Sequence, residues 1–146
     1  MYLFLKKDVL IKIKGVASVD GEKEVIELTT IGNFYKKSNN YYLIYDESEA
    51  TGYEGMTTTL KVEGNDCVTM ERAGKTRSQL IIEKGKRHLC HYDTGNGELM
   101  IGVSAKKINS MLNDDGGELY FNYSLDINSS LASENEVFID VKECKS

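Results

Sequence analysis

Polar and apolar residues alternate with a period of two along most of this chain. Val9, Ile11 and Ile13 interleave with Leu10, Lys12 and Lys14. Leu119, Phe121, Tyr123 and Leu125 interleave with Glu118, Tyr120, Asn122 and Ser124, and Val137, Ile139 and Val141 with Phe138, Asp140 and Lys142. Period two places successive side chains on opposite faces of a β-strand, so each run predicts a strand with one apolar face. Leu99, Ile101 and Val103 form a further inward set. Turn signals separate the runs: Asp20-Gly21, Ser38-Asn39-Asn40, Gly64-Asn65-Asp66, Ala73-Gly74, Lys84-Gly85, the Thr94-Gly95-Asn96-Gly97 segment and Asp114-Asp115-Gly116-Gly117. Asp-Gly and Asn-rich pairs tolerate the positive φ of tight hairpins. Gly32, inside a β-branched run, predicts a bulge or bend. Only residues 105–112 carry even a faint helical turn. The pattern therefore predicts eight to ten short strands, no helix longer than two turns, and one all-β domain over residues 1–146 with its core at about 9–141. One apolar face per strand means a shared interior. A single antiparallel, mostly up-and-down barrel satisfies that interior without leaving exposed sheet edges.

Length and composition agree with a single domain. The 146 residues are 40% hydrophobic and 28% charged, close to the globular average, and suffice for a core without staples. No apolar run reaches the 18 residues of a membrane span, and residues 1–5 are cut off by Lys6, Lys7 and Asp8 before they could form a signal peptide. A cytoplasmic protein is expected. The 18 Lys plus Arg stand against 23 Asp plus Glu, a net charge of −5, and the arginines are Arg72, Arg77 and Arg87 alone. That balance disfavours nucleic acid as a partner. Cys67, Cys90 and Cys144 are odd in number and form no C-x-x-C pair, so they read as reduced thiols.

Catalytic and cofactor motifs are missing. There is no phosphate-cradling G-x-x-x-x-G-K-[ST] and no G-x-S-x-G elbow. His88 and His91 are an odd number of residues apart on a strand and so face opposite ways; with Cys90 the sole neighbour on the His88 face, no metal site is expected, nor any cofactor. Two features do stand out. The segment 46–55 is longer than a hairpin loop and carries four carboxylates and two glycines, with tyrosines at Tyr45 and Tyr53. Arg72 follows Val68 and Met70 on their apolar face, at the last position before a turn, which places a guanidinium at the rim of the interior. Such a group needs an acid, and Glu47 is a candidate partner. Tyr92 and Tyr123 fall on inward positions of their strands.

Taken together, Tyr45-x-Glu47-x-x-x-Thr51-Gly52-x-x-Gly55-x-Thr57-Thr58-x-Leu60-Lys61, then Arg72-x-Gly74, Tyr92-x-Thr94-x-x-Gly97 and Tyr123-Ser124-Leu125, resemble the YwiB-like family of small bacterial proteins over about residues 9–141. The resemblance implies a calycin-type, lipocalin-like barrel and carries no established activity or catalytic residue. It marks Tyr45, Glu47, Thr51, Gly52, Gly55, Arg72, Gly74 and Tyr92 as positions matching the family pattern. With Tyr123 added and Gly74 set aside as a turn, these are the candidate ligand-binding residues. Three functional readings remain open. The first is a binding module, in which inward Tyr45, Arg72, Tyr92 and Tyr123 orient a small anionic or apolar ligand inside the barrel or at its mouth. The second is a filled barrel in which Arg72 and Glu47 form a latch and the surface, through segment 46–55 or residues 1–5, docks a protein partner or a second copy. The third, an enzyme using Glu47 and Arg72 for acid–base chemistry, has the least support.

Overall fold

In the computed structural model, residues 6–93 and 96–144 are described, and they form ten strands. These are β1 (Lys7–Val19), β2 (Glu22–Lys37), β3 (Asn40–Asp46), β4 (Thr57–Glu63), β5 (Cys67–Ala73), β6 (Arg77–Glu83), β7 (Arg87–Asp93), β8 (Glu98–Asn113), β9 (Gly116–Ile127) and β10 (Ser130–Glu143). Every hydrogen-bonded neighbour pair is antiparallel, in the order β6-β5-β4-β3-β2-β1-β10-β9-β8-β7. The two ends of that order, β6 and β7, lie side by side, so the sheet curls into a nearly closed barrel. No ladder joins them. Across the seam the Ile81 N–H donates to Cys90 Sγ at 3.4 Å, and in the turn after β6 the Gly85 N–H donates to the Ala105 carbonyl of β8 at 3.3 Å.

Local chemistry explains the hairpins. Asp20-Gly21, Ser38-Asn39 and Asn128-Ser129 all have both residues at positive φ, the geometry whose twist matches that of the strands it joins. The last of these turns lets β10 start at Ser130, well before the apolar run at Val137. Gly32 makes no bulge, because its ladder to β1 runs without a register shift. It is a point of close approach: a Cβ there would lie 2.4 Å from the Ile44 carbonyl oxygen and 2.7 Å from Ile11 Cδ1. The faint helical turn at 105–112 is also corrected, since these residues belong to β8. Ala105 and Ile108 are both buried because Lys106 is an extra residue in the ladder to β9, shifting the alternation by one. The resulting i, i+3 apolar spacing mimics a helix. Asn122 holds the bulge, its side-chain oxygen accepting from the Lys106 and Lys107 N–H groups at 3.2 and 3.1 Å. A second register shift lies between Leu131 and Ser133 on β10.

The interior is unevenly filled along the barrel. Val9, Ile11, Phe34, Leu43, Val62, Val68, Ile82 and Phe121 are buried to 1% exposure or less, and Phe34 stacks on Tyr41 with ring centroids 5.3 Å apart. These residues make a packed end. At the other end the long hairpins β1–β2 and β9–β10 extend past the short strands. The β2–β3 ladder covers only Asn33–Lys37 of β2, so the earlier part of that strand has no strand partner on its β3 side. A 3-10 turn, Glu49–Thr51, packs against β2 there, within the 47–56 connection.

Candidate functional site

The 47–56 connection is shaped by its backbone. The Glu47 N–H donates to the Met56 carbonyl at 2.9 Å and closes the base of the loop, and Met56 in turn donates to the Tyr53 carbonyl at 2.9 Å. Thr51 Oγ1 donates to the Ser48 carbonyl at 2.9 Å. Gly52 and Gly55 sit at φ 83° and 85°, where a side chain would be strained, and a Cβ on either would meet nothing. Both glycines shape the loop. Gly74 serves the opposite wall, because a Cβ there would come within 2.9 Å of the Gly55 carbonyl oxygen. The loop can therefore fold down onto the β5–β6 turn.

This fold-down buries the Glu47 side chain to 2% exposure against Arg72, whose side chain is 19% exposed; Arg72 Nε donates to Glu47 Oε2 at 3.2 Å. Thr58 Oγ1, itself fully buried, also donates to Glu47 Oε2. The Arg72 guanidinium carbon stands 4.1 Å from the centroid of the Tyr53 ring, a cation–π contact worth about 0.5–2 kcal/mol. The Tyr53 and Tyr92 hydroxyls are 3.4 Å apart. Buried Tyr45 and half-buried Tyr123 complete the cluster. Burial alone depresses the Arg72 pKa, but Tyr53, Glu47, Tyr123 and Tyr45 together hold it above the ordinary arginine value, so it is a permanent cation. Two of the residues in contact here, Thr58 and Tyr53, were not among the sequence candidates. Thr58 carried a signal, a hydroxyl on the same face as inward Leu60 and Val62. Tyr53 carried none beyond its place in the loop.

Behind this cluster lies a pocket that is partly open to solvent. A cavity of about 380 Å³ is lined by Tyr45, Glu47, Thr51, Arg72, Tyr92 and Tyr123, six of the eight sequence candidates, with Tyr53 and an apolar wall that includes Ile13, Leu80, Val137 and Ile139. Gly52 stands outside it, on a smaller hollow of about 220 Å³ that shares Tyr53, Arg72 and Tyr92. These three side chains partition the inner cavity from the outer one. Thr94 of the family pattern and residues 1–5 lie outside the described residues. His88 does share the inward face of Cys90, and its Nε2 lies 2.8 Å from Glu83 Oε1; among the described residues no three His, Cys, Asp or Glu side chains are grouped to hold a metal.

Burial pushes the phenols up. Tyr92 is raised to about 12 by burial and then by its contact with Tyr53; Tyr45 and Tyr123 are raised chiefly by burial, and for Tyr45 also by the Glu47 charge. An unfolded tyrosine titrates near 10. A folded-state pKa above that value contributes stability that is complete below pH about 10 and is lost as pH rises through about 12. Alkaline titration followed by tyrosinate absorbance and circular dichroism should therefore show these phenols ionising together with loss of the fold. If all nine tyrosines ionised near pH 10 with the barrel intact, their burial here would be contradicted.

The fold defines a class: a small up-and-down antiparallel β-barrel of ten strands, nearly closed, with a partly open pocket at one end. Residues 11–139 match the family described as domain of unknown function DUF1934, and the chain belongs to that family. It is 30% identical over 119 residues to the uncharacterized β-barrel protein YwiB of Bacillus subtilis (strain 168), covering 82% of both chains. It also superposes on the crystal structure of the ywiB protein from Bacillus subtilis with a TM-score of 0.82, at 26% identity over 96% of this chain and 94% of that one. Among the described residues no helix is long and apolar enough to cross a membrane.

Proposed function

We propose that the protein is a binding module that holds one small molecule in the cavity at the loop-closed end of the barrel. The observation that carries this reading is the cavity itself: about 380 Å³, within the range of small-molecule pockets, with an apolar wall and polar groups gathered at one end. Side chains fill one end of this barrel, whereas the other end leaves room for one small ligand. A cytoplasmic small molecule fits the charge and cysteine usage of the chain. The loop 47–56 is the entrance, because Tyr53 and Arg72 stand between the cavity and the outer hollow.

Native mass spectrometry of freshly purified protein, set against its denatured mass, tests the proposal. The expected result is a non-covalent adduct that is released on denaturation, or one that appears when a mixture of small apolar and polar metabolites is added. A spectrum that stays free of adduct under both conditions refutes the reading.

A further inference from the structure

The polar end of the cavity has a definite hydrogen-bonding character. Arg72 engages Glu47 through Nε alone, and Glu47 accepts through Oε2 alone. Among the described residues, neither the Arg72 Nη groups nor Glu47 Oε1 makes a hydrogen bond, and both side chains line the cavity. The pair therefore offers a donor edge beside an acceptor edge. It is also neutral as a unit. A ligand carboxylate would bring a second negative charge close to a carboxylate that is 2% exposed, and an ammonium would meet the Arg72 cation in the same poorly hydrated space. An uncharged group with an adjacent N–H and C=O meets both edges, its carbonyl accepting from Arg72 Nη and its N–H donating to Glu47 Oε1.

We infer that the pocket selects a neutral amide-type head group on an apolar body, in preference to the anionic head group that Arg72 suggests when viewed without its partner. The inference rests on the proposed binding function and names the ligand class for that same cavity. The body would lie along Ile13, Ile26, Leu80, Leu125, Val137 and Ile139. The cavity volume of about 380 Å³ equals that of roughly 13 waters at ~30 Å³ each, which admits a medium-length chain or a small ring.

Isothermal titration calorimetry with octanamide and octanoate at neutral pH tests it, since the two share one body and differ in head-group charge. Octanamide should bind at least about tenfold more tightly. Methyl octanoate, neutral but without an N–H, should bind more weakly than the amide. Glu47→Gln leaves the Arg72 charge unmatched and should reverse the order, so that octanoate binds more tightly than octanamide. The wild-type comparison decides the question even if that variant does not fold. Equal affinities, or tighter octanoate in the wild type, would overturn the head-group inference while leaving the binding module standing. Failure of all three probes would also overturn it, and the native mass spectrum would then show separately whether the binding module falls with it.

Discussion

Replacing Arg72 by Leu is expected to destabilise the barrel by about 3–5 kcal/mol, the range for breaking a buried ion pair by removing one partner. The loss falls on Glu47. Its side chain is 2% exposed, and without Arg72 its carboxylate keeps only the Thr58 hydroxyl as a partner among the described residues. Glu47→Leu should be milder, because the Arg72 side chain it leaves behind is 19% exposed and still stacks on Tyr53. The double replacement should recover most of what Arg72→Leu loses, since an apolar pair of similar volume leaves no charge stranded. Urea denaturation of the wild type, both single variants and the double variant closes the cycle and isolates the coupling between the two residues. A loss below about 1 kcal/mol for Arg72→Leu would mean that the pair does not hold the loop against the barrel. A native domain is stable by about 5–15 kcal/mol in total, so the expected loss is a large share of what holds this one together. The same pair can therefore serve as latch and as polar end of a pocket; the two readings of Arg72 are compatible.

Most of the architecture was legible in period two. Inward Val68, Met70 and Arg72 follow from alternation alone, and so does the face shared by Phe121 and Tyr123. Asp20-Gly21 and Ser38-Asn39 mark their turns because few residue pairs tolerate two positive φ values in succession. Three things were not legible. The Lys106 bulge shifts the phase of β8, and a phase shift of one residue in a strand looks like a helical step in a one-dimensional pattern. The early part of β10 is polar, since Ser133, Glu134 and Asn135 lie near the wet mouth of the barrel rather than in its packed end, so apolar periodicity does not announce it. The seam between β6 and β7 has no signature because both strands alternate normally and simply do not pair. The site was half legible. The need of a buried guanidinium for a partner points to Glu47 as the acid for Arg72, whereas Tyr53 over the guanidinium depends on how loop 47–56 folds back past Gly55 and Gly74. Whether the barrel is hollow depends on side-chain volumes summed around ten strands in their actual register, a quantity that no single segment reveals.

One pair of insertions tests directly whether this end of the barrel is open. Val68 and Val137 both point inward. Val68 is fully buried in the packed end, beside Val62 on β4 and Ile82 on β6, whereas Val137 is half-buried and lines the cavity. Val68→Phe forces a ring into a space already filled and is expected to destabilise the protein by about 1–3 kcal/mol or more. Val137→Phe places the same ring into about 380 Å³ of open space, and should change stability by less than about 1 kcal/mol while abolishing any adduct seen by native mass spectrometry. The deciding measurement is urea denaturation of the two variants side by side. A large loss for Val68→Phe with almost none for Val137→Phe is the predicted result; equal losses would mean that both ends of the barrel are filled and that there is no pocket to occupy.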